Sequence, residues 1–198
     1  MAGIVSLASV HWRLSSILTA QTVTSINPDT QDFQWFSLPD MAAHIPDPCQ
    51  YWIHLPGSLT QALRERTEAF SVQVTDERLV DLVHPPESLA SSSPSRQFWS
   101  RKVRLMSGST PWVIAHTLIP QSSLDHGLQR LTDLSDRPLG ELLFTTAGVR
   151  KDRPEVARTP MGWARRARFW LADQPLLVTE IFMEALINHE QQRLSTLP

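Results

Sequence analysis

The sequence contains few of the residues that common catalytic and metal-binding motifs require. It has one cysteine, Cys49, and 7 glycines among 198 residues. A single cysteine cannot close an intramolecular disulfide, which fits a reducing compartment. The scarce glycines form no phosphate-binding loop. The seven histidines show none of the HxH, HxxxH or HExxH spacings that hold metal ions, so we predict no metal site.

Long apolar runs and strong net charge are also missing. No segment approaches the roughly 18 apolar residues of a membrane span, and residues 1–10 lack the basic start of a secretion signal. The net charge is -2, so neither nucleic acid nor an acidic membrane is an expected partner. We expect a cytoplasmic protein whose main domain covers residues 46–198, preceded by an N-terminal extension over residues 1–45 that packs on it.

A predicted strand with one carboxyl group among apolar residues is the clearest signal in the chain. Alternation over residues 175–185 places Leu176, Val178, Glu180 and Phe182 on the same side of this strand. Glu180 therefore points in the same direction as large apolar side chains. A carboxyl in such surroundings loses hydration, so it is neutralised, paired or reserved for a ligand.

A second predicted strand carries a matching cation. In residues 98–106, Arg101 is the only cation on the side that it shares with Trp99, Val103 and Leu105. This strand and the apolar run that follows the next turn form a hairpin, and the Glu180 strand closes another. Adjacent hairpins without βαβ alternation predict an α+β domain with a single antiparallel sheet. We expect the arginine and the glutamate to lie on its covered face.

Two helix starts complete the candidate site. Ser58 and Gln61 have the spacing of a capping box, and Pro138 fits the first position of a short helix. The backbone N–H groups of Leu59 and Leu139 then have no partner within their helices, and such helix ends bind anions. A cavity lined by these elements, the arginine and the glutamate suits a small carboxylate ligand. Alternatively, the arginine and the glutamate pair with each other as a structural ion pair.

Other residues have simpler explanations. We expect His116 to be a hydrogen-bonded core histidine rather than a base, and Cys49 to be an ordinary free cysteine. The run of Arg165, Arg166 and Arg168 is expected on a solvated face.

Two further segments are assigned from composition and spacing. Residues 85–95, rich in proline and serine, are expected to form a surface loop. Residues 123–134 are expected to form one helix because leucines recur at helical spacing.

Four motifs match a known family in order and spacing. The runs PWVIAHTLIP, RPLGELLF, WARRARF and PLLVTEIF resemble those of the chorismate pyruvate-lyases, which make 4-hydroxybenzoate from chorismate. The resemblance extends over residues 51–183. His116 stands where the family usually has arginine, and Met183 and Glu184 replace a Leu-Pro pair. These departures indicate a divergent branch, such as the cyanobacterial or plastid type.

The resemblance implies a fold and a set of site residues. It implies a sheet of about six strands with helical flaps that enclose an internal ligand cavity. Arg101 and Glu180 match the family's buried arginine and glutamate, which we assign as catalytic and substrate-binding. Leu139 matches a substrate-binding leucine, and Leu59 stands at a substrate-binding position that is methionine in the best-known members. No metal or organic cofactor is implied.

The implied activity is the lysis of chorismate to 4-hydroxybenzoate and pyruvate, a first step toward ubiquinone or plastoquinone. We expect Arg101 to neutralise a carboxylate or the departing oxygen. We expect burial to raise the pKa of Glu180 so that it gives or takes a proton. The alternative is a non-catalytic module of the same fold that senses small carboxylates. The expected partners are chorismate and 4-hydroxybenzoate, and the expected state is a monomer, with a dimer as the alternative.

Overall fold

A computed structural model describes residues 33–196, which form one antiparallel sheet with helices packed on it. Residues 1–32, most of the predicted extension, lie outside the described residues, as do residues 197–198. The strands are β1 Phe36–Ser37, β2 Phe70–Asp81, β3 Gln97–Ser107, β4 Thr110–Pro120, β5 Arg150–Lys151, β6 Glu155–Thr159, β7 Gly162–Leu171 and β8 Gln174–Met183. The α-helices are α1 Leu38–Met41, α2 Asp47–His54, α3 Leu59–Arg64, α4 Glu87–Ala90, α5 Gln121–Ser123, α6 Leu139–Thr145 and α7 Glu184–Ser195.

The sheet has the spatial order β1-β6-β7-β8-β4-β3-β2, and β5 pairs with β7 outside this path. Every recorded strand pair is antiparallel. Six strands are long, and β1 and β5 have two residues each. The prediction of an α+β fold with one antiparallel sheet is confirmed. Phe36 of β1, from the part of the chain predicted as an extension, pairs with Val156 of β6.

The two hairpins that carry the predicted charges have tight turns. Gly108, between β3 and β4, has φ +57°. Ala172 and Asp173, between β7 and β8, have φ of 49° and 59°. Positive φ at both central residues characterises the type I′ turn, whose twist matches that of the flanking strands. This turn fixes the register in which Arg165 lies opposite Glu180.

Alternation along the strands divides the sheet into two covered faces. Arg101, Thr117 and Glu180 lie on one face, which we call the cavity face, with α3 and α6 over it. On the opposite face, α4 inserts the fully buried Leu89 against Phe98, Leu118 and Leu177. The prediction of a plain surface loop over residues 85–95 is wrong, because this segment contains α4. Its one buried leucine covers apolar sheet surface that would otherwise face water.

The prediction of one helix over residues 123–134 is also wrong. His126 and Gly127 have non-helical dihedral angles, with φ +116° at the glycine. The segment is therefore a succession of short helical turns of different pitch, over residues 121–133. The four leucines that suggested the helix are buried all the same, at positions 124, 128, 131 and 134. The leucine spacing therefore indicated which residues are buried, but it did not indicate a continuous helix.

Helix α7 is fastened to the rest of the domain through a buried carboxylate. Glu190 is 1% exposed and accepts hydrogen bonds from Arg193, at 2.6 Å from Nη2, and from Arg66, at 3.4 Å from Nε. The Arg66 guanidinium lies 5.0 Å from the Tyr51 ring centroid on α2. Burial acts to raise the pKa of Glu190, but the two arginines outweigh it and hold the pKa below its usual 4.5.

No helix in residues 33–196 is long and apolar enough to cross a bilayer.

Candidate functional site

A cavity lies between the cavity face of the sheet and the two short helices α3 and α6. The four residues predicted as site residues, Leu59, Arg101, Leu139 and Glu180, all line it. The charged residues in its wall are Arg101, Lys151, Arg165 and Glu180. The remaining wall is largely apolar and includes Val72, Val103, Leu105, Ala115, Leu143, Phe144, Ala167, Phe169 and Val178. Three cations and one carboxylate in an apolar cavity favour an anionic ligand.

The helices α3 and α6 meet over this cavity with their N-terminal ends together. The Ser58 side chain accepts a hydrogen bond from the Gln61 backbone N–H at 3.3 Å, which confirms the predicted N-cap. Pro138 was predicted at the first helical position of α6, but it is the N-cap, which is one position earlier. A Cβ placed on Gly140 would lie 3.2 Å from Thr60 Oγ1, so glycine permits this close approach.

We expect the helix starts to contribute less to anion binding than the sequence suggested, because both helices are short. Helix α3 has six residues and α6 has seven. Because their peptide dipoles are few, we expect their summed field to be weak. The backbone N–H groups of Leu59 and Leu139 still have no intrahelical partner, since they belong to the first turn. They remain candidate donors to a ligand in the cavity.

Arg101 is held in the cavity wall by groups on both sides of it. It is 3% exposed, and its Nη1 donates to Glu77 Oε1 at 2.7 Å on the neighbouring strand β2. Its Nη2 donates to the carbonyls of Ser135 and Arg137, at 2.5 and 3.3 Å. These carbonyls belong to the segment that enters α6. Arg101 therefore positions the start of α6 as well as lining the cavity.

Glu180 forms its ion pair with Arg165, which lies opposite it on β7. Arg165 Nε donates to Glu180 Oε2 at 2.5 Å. Each predicted charge thus has a partner of its own, and the alternative in which Arg101 and Glu180 pair with each other is wrong.

Arg165 also caps the C-terminal end of α2. Its Nη1 donates to Trp52 O at 2.7 Å, to Leu55 O at 3.1 Å and to Ile53 O at 3.4 Å. A cation at a helix C-terminus satisfies carbonyls that have no intrahelical partner. Arg165 is 3% exposed, so its predicted place on a solvated face is wrong.

The other two arginines of that run lie on the opposite face of the sheet. Arg166 pairs with Glu155 at 2.7 Å and stacks 4.4 Å from the Trp35 ring centroid. Arg168 pairs with Asp152 at 2.6 Å. Both are partly buried rather than fully solvated.

His116 also lies on the opposite face, away from the cavity. It is 2% exposed, and its Nε2 forms a hydrogen bond with Ser100 Oγ at 2.8 Å. The prediction of a hydrogen-bonded core histidine is confirmed.

Two further ionisable groups differ in their relation to the cavity. Lys151 of β5 lines it, with Nζ 5.6 Å from the Phe169 ring centroid. Burial and then Arg165 lower the pKa of Lys151 below its usual value, whereas Glu180 acts to raise it. Cys49 is buried in the apolar core outside the cavity, and burial raises the pKa of its thiol. A buried thiol with a raised pKa has the properties of a structural cysteine.

The part of the chain that the structure describes contains no group of three or more His, Cys, Asp or Glu side chains arranged to hold a metal ion.

Comparison with known proteins identifies the family. The chorismate lyase family model matches residues 30–193. The chain belongs to the chorismate lyase family. It is 36% identical over 138 residues to the chorismate pyruvate-lyase of Erwinia tasmaniensis, a match that covers 68% of this chain and 77% of that protein. It is 31% identical to the chorismate pyruvate-lyase of Salmonella gallinarum, over 75% of this chain and 88% of that one.

A solved structure is also similar, but too weakly to inform function. A GntR-family transcriptional regulator from Bacillus cereus is 14% identical with a TM-score of 0.35, over 59% of this chain and 93% of that chain.

Sequence reasoning missed Arg165 and Lys151 as cavity residues. The signal for Arg165 was present, because alternation along β7 places it on the side of Ala167 and Phe169. Lys151 carried no comparable signal, since β5 is only two residues long.

Proposed function

We propose that this protein is a chorismate pyruvate-lyase, which converts chorismate to 4-hydroxybenzoate and pyruvate. The observation that supports it most directly is that a member of the chorismate lyase family has a cavity lined by Arg101 and Glu180. The relatives named above carry the same activity in their names. The product then supplies a quinone pathway, such as ubiquinone biosynthesis.

The reaction breaks the ether bond between a ring carbon of chorismate and the enolpyruvyl oxygen. The hydrogen on the neighbouring ring carbon leaves as a proton, so the ring becomes aromatic, and the enolpyruvyl fragment gains a proton to become pyruvate. Atoms and electrons balance without an oxidant, a reductant or a second substrate. The protein must hold the substrate in a reactive conformation and stabilise the charge that develops on the departing fragment.

Glu180 is the group that we assign to the ring proton. A carboxyl that acts as a general base must be close to the proton it removes, and its contact with solvent should be limited. Glu180 lies 2.5 Å from the Arg165 guanidinium, and the apolar cavity wall limits the access of solvent to it.

Arg101 is the group that we assign to a substrate carboxylate. Its guanidinium is fixed by Glu77 and by the two carbonyls before α6. A charged donor that is already oriented needs little reorganisation when the substrate binds. The backbone N–H groups of Leu59 and Leu139 lie at the helix starts above the cavity and complete the proposed substrate contacts.

The decisive experiment incubates the purified protein with chorismate and measures pyruvate and 4-hydroxybenzoate by chromatography. We expect both products in equal amounts. We expect Glu180→Ala and Arg101→Ala each to lower kcat/KM by about a hundredfold or more, as the loss of one oriented charged group does in other enzymes. Turnover like that of the wild type in either variant would reject that residue's role. Binding of 4-hydroxybenzoate without lysis of chorismate would reject the enzyme and favour the carboxylate-sensing module.

Two further parts of the proposal concern the location and the oligomeric state of the protein. We propose a cytoplasmic location, in keeping with the single cysteine. We also propose a monomer, since all four proposed substrate contacts come from one chain. Sedimentation of the purified protein tests the second point.

A further inference from the structure

Lys151 is a cation of the cavity wall without a counterion. Its ammonium forms neither an ion pair nor a hydrogen bond with any residue of the range 33–196. Its recorded neighbour is the Phe169 ring, 5.6 Å from Nζ. A partly buried ammonium without a partner is unfavourable, because it has lost hydration and gained no compensating charge. Such a group favours the arrival of an anion.

The carboxylate that acts electrostatically on Lys151 already has an ion-pair partner. Glu180 acts on Lys151 as an opposite charge, but its Oε2 is taken by Arg165. Arg165 in turn uses Nε for Glu180 and Nη1 for the carbonyls at the end of α2. Its Nη2 donates to no other residue of the described part of the chain. Lys151 and this Nη2 are therefore donors at the end of the cavity that β5 and β7 form.

Arg101 lies at the other end. The sheet order from Arg101 runs β3, β4, β8, β7, and β5 lies beyond β7. Three steps between neighbouring strands correspond to about 14 Å between the backbones of β3 and β7. The cavity thus has one cationic end at Arg101 and a second at Lys151 and Arg165, with Glu180 between them on β8.

We propose that Lys151, assisted by Arg165, binds the enolpyruvyl carboxylate of chorismate. This inference builds on the proposed function and adds a substrate-binding residue to it. Chorismate carries two carboxylates, one on the ring and one on the enolpyruvyl group, whereas 4-hydroxybenzoate keeps only the ring carboxylate. A cavity with two separated cationic ends matches the two charges of the substrate. The ring carboxylate then lies at the Arg101 end, beside the start of α6.

The two ends have different consequences for substrate and product. Contacts at the Arg101 end are shared by chorismate and 4-hydroxybenzoate. Contacts at the Lys151 end belong to chorismate and to pyruvate, because the enolpyruvyl carboxylate leaves with the departing fragment. Removal of the lysine charge should therefore weaken binding of the substrate and leave binding of the aromatic product nearly unchanged.

The test compares Lys151→Met, Lys151→Arg and Arg150→Met. Arg150 is the neighbour of Lys151 on β5, but it pairs with Asp173 on the exposed surface and does not line the cavity, so it is the matched control. Chorismate kinetics are followed by pyruvate release, and 4-hydroxybenzoate affinity is measured by calorimetry. We expect Lys151→Met to lower kcat/KM by about 10- to 100-fold, the usual effect of losing a charged hydrogen bond. Its Kd for 4-hydroxybenzoate should change less than about threefold, and Lys151→Arg should retain most activity.

Three results would overturn the inference. The first is unchanged kcat/KM in Lys151→Met, and the second is an equal loss of affinity for chorismate and for 4-hydroxybenzoate. The third is an equal loss of kcat/KM in Arg150→Met. If the wild type binds chorismate without cleaving it, the proposed function fails. The calorimetric Kd of chorismate in Lys151→Met then decides the present inference separately.

Discussion

Glu180 and Arg165 face each other across β7 and β8 and form a 2.5 Å ion pair inside the cavity wall. Their side chains are 17% and 4% exposed. The pair links the proposed base to the cap of α2, because the same guanidinium binds the carbonyl of Trp52. The charge state of the site and the anchoring of a helix thus depend on one side chain.

Arg165→Met should therefore be strongly destabilising. It leaves the Glu180 carboxylate in an apolar wall without its guanidinium and removes the cap of α2. We expect a loss of about 3–5 kcal/mol in the free energy of unfolding, measured with urea. The double variant with Glu180→Gln should recover part of this loss, since the unpaired charge is gone. Simple additivity of the two substitutions would show that the pair does not couple.

Gly140 should be sensitive to substitution because it lies where α3 and α6 meet. A Cβ there would lie 3.2 Å from Thr60 Oγ1, so we expect a larger, branched side chain to displace one of the two helices. We expect Gly140→Val to lower chorismate turnover about tenfold or more through displacement of α6. Gly57→Ala is the control, since a Cβ at Gly57 meets no atom within 4 Å. Equal activity of the two variants would contradict the close contact.

Glu190 should make stability depend on pH in the acid range. Its folded pKa lies below the usual 4.5, so its contribution to stability is complete above that pH and is lost as the pH falls through the lowered value. We expect Glu190→Gln to lose about 1.5–3 kcal/mol at neutral pH, with the difference from wild type shrinking in acid. Glu68→Gln, an exposed substitution, should have little effect. A difference that persists unchanged in acid would contradict the assignment.

We expect Lys151 to lower the free energy of unfolding of the protein. Its folded pKa lies below the usual 10.5, so the ammonium is disfavoured in the folded protein at neutral pH, and this penalty disappears as the pH rises toward 10.5. We expect Lys151→Met to be more stable than wild type by about 1 kcal/mol at neutral pH and less so in alkali. Thermal unfolding at both pH values measures this. A lower Tm for the variant at neutral pH would indicate that the lysine supports the fold instead.

Much of the sheet could be predicted because the character of the side chains alternates along its strands. Alternation found both main hairpins, and a lone charge on an apolar side singled out Arg101 and Glu180. These residues are visible in the sequence because a charge among apolar neighbours breaks a regular pattern.

The pairing of those charges could not be predicted. Glu77 lies on a strand whose alternation is weak, and it became the partner of Arg101 only through the register of β2 with β3. Arg165 was hidden among two other arginines, although alternation assigns it to the cavity face. Lys151 depends on a two-residue strand that no periodicity can reveal.

The interruption of the helix predicted over residues 123–134 could not be predicted from the sequence either. The break lies at His126 and Gly127, and the φ of +116° at the glycine ends the helical path. Glycine permits this conformation, but nothing in the leucine spacing requires it.

The Arg165 cap joins parts of the chain that are far apart, since 113 residues separate its guanidinium from the Trp52 carbonyl. Contacts of such sequence separation carry a large loop-closure entropy and form late in folding. Nascent chains should therefore acquire their hairpins before they acquire a binding site. A polypeptide released before β7 has been synthesised would contain Arg101, α3 and α6, yet would have no chamber in which to hold a substrate.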